Sequence, residues 1–170
     1  MFIKKILKYI QYFKTKIIFV HIGKCAGSSV RNELEKLKIG NYEIHLEFKP
    51  FHRRKKYIIV LRNPIRRFIS AYFWSIKNVI EDKKNLKWAS NANWNKRFSQ
   101  QMKILKKYTD LNSLTENIYS ENGSLKLDLT SDEFYIHHIK EGIYFYLQNL
   151  IKHLNDNNVR AIIVTETINE

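Results

Sequence analysis

The sequence predicts an α/β fold, a single domain built on a mostly parallel sheet of about four to five strands flanked by helices. Three observations carry this. Short apolar, β-branched runs recur along the chain at Ile17–His21, Tyr42–Leu46, Tyr57–Leu61 and Ala161–Thr165. Stretches whose apolar residues follow helical spacing lie between them. The chain has 170 residues, 44% of them hydrophobic, which is enough for one sizeable core.

The elements follow in order. Residues 1–16 place Phe2, Ile3, Ile6, Leu7, Ile10 and Phe13 at helical spacing among Lys4, Lys5, Lys8 and Lys14, a basic amphipathic helix. It either packs on the domain or lies on anionic lipid. Residues 17–170 form the domain. Ile17–His21 is a buried strand, and after a small-residue loop Ser28 or Ser29 opens a helix with Glu33 early in it. Tyr42–Leu46 is a second strand. Tyr57–Leu61 is a third, apolar enough for the inside of a parallel sheet. Asn63 and Pro64 read as the cap and first residue of a helix running to about Ile80. Residues 85–123 are polar and helix-leaning, with a loop at Ser120–Ser124. Asp132–Leu154 reads as one long helix with Phe134, Ile139, Ile143, Leu147 and Leu150 on its apolar side. Ala161–Thr165 is the fourth strand.

Composition narrows the function classes. The hydrophobic content excludes a disordered chain, and five Gly with two Pro exclude a collagen-like or linker-dominated one. A single cysteine, Cys25, excludes a disulfide scaffold and points to a reducing compartment. No apolar run approaches the roughly 20 residues of a membrane span. A soluble, cytoplasmic protein is expected, membrane-peripheral if the N-terminal helix binds lipid. The net charge of +14 predicts an anionic partner. Residues 1–67 hold 17 Lys and Arg against four Asp and Glu, whereas residues 68–170 hold 13 against 12. The excess therefore belongs to the part that carries the first three strands.

Two segments there carry chemistry. The first is FVHIGKCAGSS, residues 19–29. A strand ends, Gly23, Ala26 and Gly27 let the backbone approach a ligand, and a helix start points its N–H groups at an anion. Lys24 adds a cation, and Ser28 and Ser29 add hydroxyl donors. This suits a phosphate or sulfate group. It is not the Walker A pattern, because Lys24 precedes Ala26 and Gly27. The second segment is YIIVLRNPIRRFISAYF, residues 57–73. Arg62 ends a buried strand, where ligands of open α/β sheets bind. Ser70 lies roughly 9 Å along the following helix from Pro64, so Arg62 and Ser70 can converge on one phosphate, with Arg suited by its planar donor fork.

Together, HIGKCAGSS and VLRNPIRRFISAY resemble the sulfotransferase family that uses 3′-phosphoadenosine 5′-phosphosulfate (PAPS), and more closely its carbohydrate and glycosaminoglycan branch. The family's first motif is His-Ile-Pro-Lys-Thr-Gly-Gly-Thr-Ser. Here Gly23 replaces Pro, Cys25 replaces Thr, Ala26 replaces Gly and Ser28 replaces Thr. In the second motif Asn63 replaces Asp. VTETI, residues 164–168, resembles the family's late strand ending in Thr-Glu. The resemblance implies a P-loop-NTPase-like sulfotransferase fold. It implies that Lys24, Gly27, Ser28 and Ser29, in the loop with Cys25 and Ala26, hold the 5′-phosphosulfate, and that Arg62 and Ser70 hold the 3′-phosphate. PAPS is then the co-substrate, adenosine 3′,5′-bisphosphate the product, and no metal is needed. Many members continue with further helices, so the domain is expected to be short at its C-terminal end.

Sulfuryl transfer needs charge neutralisation on the leaving oxygen and a base for the acceptor hydroxyl. Lys24 is the candidate for the first. Glu43, His45, Glu47 and His52 are candidates for the second, and His45, at a strand end with a free pKa near 6.5, suits it best. His21 is read as structural, orienting the loop. His137 and His138, adjacent on a helix, are expected to point to different faces, and no metal triad is evident. Trp74, Trp88, Trp94, Tyr72 and Phe73 serve core packing or stack on a sugar or adenine. The acceptor is expected to be a hydroxyl, of a saccharide by the resemblance. Two other classes compete. Cys25 and Arg31 have the Cys, five residues, Arg spacing of cysteine-dependent phosphatases. A non-catalytic basic module would bind anions or membranes. No nucleic-acid motif is evident, so no nucleic-acid partner is expected.

Overall fold

The computed structural model describes residues 10–45, 50–82, 92–127, 131 and 134–167. Four strands form one all-parallel sheet. They are β1 (Ile17–Val20), β2 (Asn41–Ile44), β3 (Lys56–Leu61) and β4 (Val159–Val164). The helices are α1 (Gly27–Lys36), α2 (Pro64–Ser75), α3 (Ala92–Lys107), α4 (Leu111–Ile118) and the short α5 (Ile143–Leu147). The chain groups into two compact units: Met1–Pro64 with Ile143–Glu170, and Ile65–Gly142. Each has a buried cluster of its own.

The first unit contains the sheet, in the order β2-β1-β3-β4. The central strands β1 and, after Lys56, β3 are apolar because both faces are covered. Ile18, Phe19 and Val20 are fully buried, although successive side chains point to opposite faces. The edge strand β4 instead alternates, and it leaves Ile162 and Val164 exposed. Helix α1 packs through Val30 and Leu34, one turn apart, into the same cluster, with Tyr146, Leu147 and Leu150 from the chain's later part. It opens at Gly27, one or two residues before the expected Ser28 or Ser29, so Glu33 sits in mid-helix and not early in it, paired with Lys36 at 2.6 Å.

Register places all four strand ends on one edge. Val20 lies opposite Ile44 and Ile59, and Leu61 opposite Val164. The chain leaving each strand, at His21, His45, Arg62 and Thr165, therefore leaves from the same side. The connections run from β1 to β2 on one flank and then to β3 on the other, so the order reverses between β1 and β3.

Of the N-terminal helix, residues 10–14 are described, and residues 1–9, with Lys4, Lys5 and Lys8, lie outside the described residues. Tyr12 is buried, its hydroxyl donating to the Pro50 carbonyl at 2.9 Å. One of the cations of residues 1–67 is structural. Lys55 is buried, and its ammonium donates to the carbonyls of Tyr12, Phe13 and Thr15, the last at 2.6 Å. A helix end leaves its last carbonyls without partners, and a cation suits them. Burial pushes the Lys55 pKa down.

The second unit is helical. Its cluster gathers Ala71 and Tyr72 from α2, Leu105 from α3, Leu114 and Ile118 from α4, and Phe134, Ile136 and Ile139. Helix α2 continues as a wider π-helical stretch over Ile76–Glu81, about where the sequence predicts its end. Asp110 caps α4, accepting from the Ser113 N–H at 2.9 Å. The Ser120–Ser124 loop is closed by the bridge between Tyr119 and Leu125.

The long helix expected over Asp132–Leu154 does not form. Residues 137–139 make a turn, α5 is only five residues long, and a 3₁₀ turn spans Ile151–His153. His138 is left-handed (φ 65°), which a right-handed helix cannot accommodate. The apolar spacing misled because its members serve different clusters. Phe134 and Ile139 fill the second unit's, Leu147 and Leu150 the first unit's. His137 and His138, expected on different faces, lie side by side with ring centroids 3.8 Å apart.

Candidate functional site

The loop from β1 to α1 is built by backbone handedness. Lys24 (φ 67°) and Ala26 (φ 55°) are left-handed, and Cys25 between them is not. Such alternation turns successive N–H groups towards one side and forms a concavity for an anion. Ala26 is the N-cap of α1 and makes no side-chain cap, and no acidic residue stands in the first turn. The first-turn N–H groups of Gly27 and Ser28 therefore have neither a capping side chain nor an intrahelical acceptor. Ser28 and Ser29 are exposed beside them, and Lys24 is half-buried. An alanine in the left-handed region costs about 1–2 kcal/mol, which glycine would not.

Gly27 has a reason that the sequence does not reveal. A Cβ there would stand 1.9 Å from His21 Cδ2 and 2.3 Å from Nε2. The residue is glycine so that the His21 ring can lie across the start of α1. His21 is itself held: its Nδ1 bonds the Glu43 carboxylate, whose other oxygen takes the Arg31 guanidinium at 3.4 Å. The His21 hydrogen bond, helped by the charges of His21 and Arg31, holds the Glu43 carboxyl below its ordinary range. Glu43 was a candidate base; as the carboxylate that fixes His21 it is a positioning residue.

His45 follows β2 and stacks on His21, ring centroids 4.2 Å apart. Its Nδ1 is 2.9 Å from the His21 carbonyl oxygen. A carbonyl only accepts, so Nδ1 carries the proton and Nε2 of the neutral ring keeps its lone pair. Burial, the largest cause, pushes the His45 pKa below 6.5, against the opposing hydrogen bond. A neutral imidazole is the form a general base requires.

Arg62, at the end of β3, donates from Nη1 to the Lys24 carbonyl at 3.2 Å. The two cations are close enough that Arg62, after burial, lowers the Lys24 pKa. Glu166, just past β4, lies 3.8 Å from Arg62 Nε, and its carboxylate accepts from the Asn63 N–H at 3.2 Å. The Asn63 N–H is held by Glu166, a partner 103 positions away that no local pattern discloses.

Other expected residues fall elsewhere. Cys25 is fully buried in the first unit's cluster, so it offers a ligand only its backbone. Arg31 faces Glu43. Burial removes the exposed thiolate and this ion pair occupies the arginine that a cysteine phosphatase needs. Ser70 lies on α2 in the second unit, half-buried. Arg67 is buried there and donates to the Glu141 carbonyl at 2.6 Å. Tyr72 is a core residue, Phe73 is exposed, and Trp74 packs on His137 and His138. His52 is half-buried, and its N–H donates to the Tyr57 hydroxyl. Glu47, Trp88 and the Trp94 side chain lie outside the described residues. Among the described residues no helix is long and apolar enough to cross a membrane.

Set against known proteins, the chain matches no family model, no curated protein and no solved structure.

Proposed function

We propose that the chain is a sulfotransferase that moves a sulfuryl group from PAPS to an acceptor hydroxyl, a saccharide's by the motif resemblance. The observation that supports this most is the meeting of Lys24 and Arg62 at the ends of the central strands, beside an uncapped helix start. Ligands of open parallel sheets bind at the strand ends where the order reverses, and two cations that repel each other there are relieved by an anion.

In this reading the first-turn N–H groups of α1, Lys24 and the Ser28 and Ser29 hydroxyls take the 5′-phosphosulfate. Arg62 takes the 3′-phosphate. The acceptor oxygen attacks sulfur while His45 Nε2 takes its proton. The bond from sulfur to the bridging phosphate oxygen breaks, and Lys24 stabilises the charge left on adenosine 3′,5′-bisphosphate. His21, clamped by Glu43, sets the spacing between base and loop. The remaining cations of residues 1–67, including Arg53 and Arg54, are offered to an acidic acceptor or, through the N-terminal helix, to an anionic membrane surface.

Thermal shift tests the reading. Adenosine 3′,5′-bisphosphate should raise the melting temperature more than ATP or inorganic phosphate at equal concentration. Arg62→Ala should abolish that difference. Equal shifts from all three, or none, would remove the nucleotide from the reading. Cys25→Ser should leave the shift in place.

A further inference from the structure

The second unit contains a polar cluster that the sulfotransferase reading does not use. We propose that His137, His138 and Glu141 bind a divalent transition-metal ion, zinc by preference. One ligand-type atom from each lies within 4.8 Å of the others. All three residues are more than nine-tenths buried, at 5%, 6% and 8% exposure.

The turn is shaped to bring these donors together. Adjacent residues on a helix or strand send their side chains apart. Here left-handed His138 (φ 65°) brings the second imidazole alongside the first, with planes tilted by 35°. Residues other than glycine rarely adopt this conformation, and when they do it clusters at sites with a function. The Glu141 carboxylate closes the turn, accepting from the His138 N–H at 2.8 Å and lying 3.6 Å from His137 Nδ1.

An outer ring of partners orients them. The Tyr135 hydroxyl is 3.0 Å from His137 Nδ1, and Gln101 Oε1 accepts from the His137 N–H at 3.3 Å. Trp74 packs an apolar wall against both imidazoles. Arg67 donates to the Glu141 carbonyl, and Arg97 lies over the Tyr135 ring, 5.2 Å from its centroid. Metal-binding histidines are characteristically held by such second partners.

Two imidazoles and one carboxylate are a borderline donor set. It suits zinc better than the all-oxygen preference of magnesium or calcium. Three protein donors also leave a coordination position for water or another ligand. Nothing in the sulfotransferase reading requires this ion, so the two stand or fall separately.

The test uses the full chain, stripped with a chelator and titrated with zinc alone and with cobalt alone, without nucleotide. One zinc per chain is expected by calorimetry, with a higher melting temperature and visible cobalt absorption bands of a low-coordinate nitrogen and oxygen site. Glu141→Gln keeps an oxygen for the His138 N–H, and His138→Asn keeps a residue that tolerates the left-handed backbone. Each should weaken zinc by more than the roughly 10- to 100-fold that loss of an outer partner costs. The pair His52→Ala with His153→Ala, remote from the cluster in sequence, should bind as the parent does. No stoichiometric zinc, unchanged affinity in either cluster variant, or loss in the His52/His153 variant overturns the proposal. If Glu141→Gln does not fold, His138→Asn decides.

Discussion

The two units treat their polar groups in opposite ways. In the first, Lys24, His45 and Arg62 are only half-buried at the edge where parallel strands end. In the second, His137, His138 and Glu141 are closed off from water and hold one another. A ligand that comes and goes needs charges that keep part of their hydration. A charge deprived of water needs a fixed counterpart in the protein or an ion. The first arrangement suits turnover and the second suits retention.

The largest effect that sharpens this contrast concerns His45. His45→Ala should lower kcat by about 10²- to 10⁴-fold, the usual worth of a positioned base. In the parent protein, burial holds the His45 pKa below 6.5. In the proposed reaction the neutral form is the base, so kcat/KM should rise with pH through an acid limb whose midpoint lies below that value. The same depressed pKa makes the folded state bind fewer protons than the unfolded one. The associated stability is then present above 6.5 and is lost as pH falls towards the folded pKa. An acid limb at or above 6.5, or one that survives His45→Ala, would take the base away from His45.

Next in size is Lys55, a cation that the first unit buries as thoroughly as the second unit buries its cluster. Lys55→Met keeps the length of the stem and removes the ammonium, leaving the carbonyls of Tyr12, Phe13 and Thr15 without it. Each hydrogen bond to a charged group is worth about 1.5–3 kcal/mol, so a loss of about 3 kcal/mol is expected in urea unfolding. Nucleotide affinity in the folded fraction should not change. A loss in both would mean that Lys55 serves the ligand as well as the helix end.

Gly27→Ala probes the hinge between fold and site. Its Cβ would fall 1.9 Å from the His21 ring, which Glu43 prevents from swinging away. Overpacking of this kind costs about 1–3 kcal/mol. The melting temperature should fall, and the response to adenosine 3′,5′-bisphosphate should shrink as the loop shifts. Adding His21→Ala to Gly27→Ala should restore part of the stability, because the clash then has no ring to meet. A Gly27→Ala protein of parental stability would show that His21 moves freely.

These contrasts also explain what was legible beforehand. The central strands were readable because a parallel sheet covered on both faces writes itself as unbroken apolar runs such as YIIVL. The loop was readable because small residues, a lysine and two serines follow one such run. The partners of the loop were not. Glu43 meets His21 from 22 positions away and Glu166 meets Asn63 from 103, and neither distance leaves a local pattern. The His137–Glu141 turn reads as helix in the sequence because its apolar neighbours keep helical spacing while filling two different clusters. A single left-handed histidine decides that segment, and composition carries no sign of it.

The smallest effect is the most selective. Glu166 stands 3.8 Å from Arg62 Nε, on the side of the sheet edge where the 3′-phosphate is proposed. It is a carboxylate already resting against the cation that the phosphate must use. Glu166→Gln keeps an oxygen for the Asn63 N–H and removes the negative charge. Between partly exposed groups such a charge is worth about 0.2–1 kcal/mol. Adenosine 3′,5′-bisphosphate should therefore bind about 1.4- to 5-fold more tightly to the variant at low salt, with the gain fading as salt is added. Adenosine 5′-phosphate, which lacks the 3′-phosphate, should show no gain. Equal gains for both nucleotides would place the charge relief elsewhere than at the 3′-phosphate. A weaker adenosine 3′,5′-bisphosphate complex would mean that Glu166 positions Arg62 for the ligand and does not compete with it.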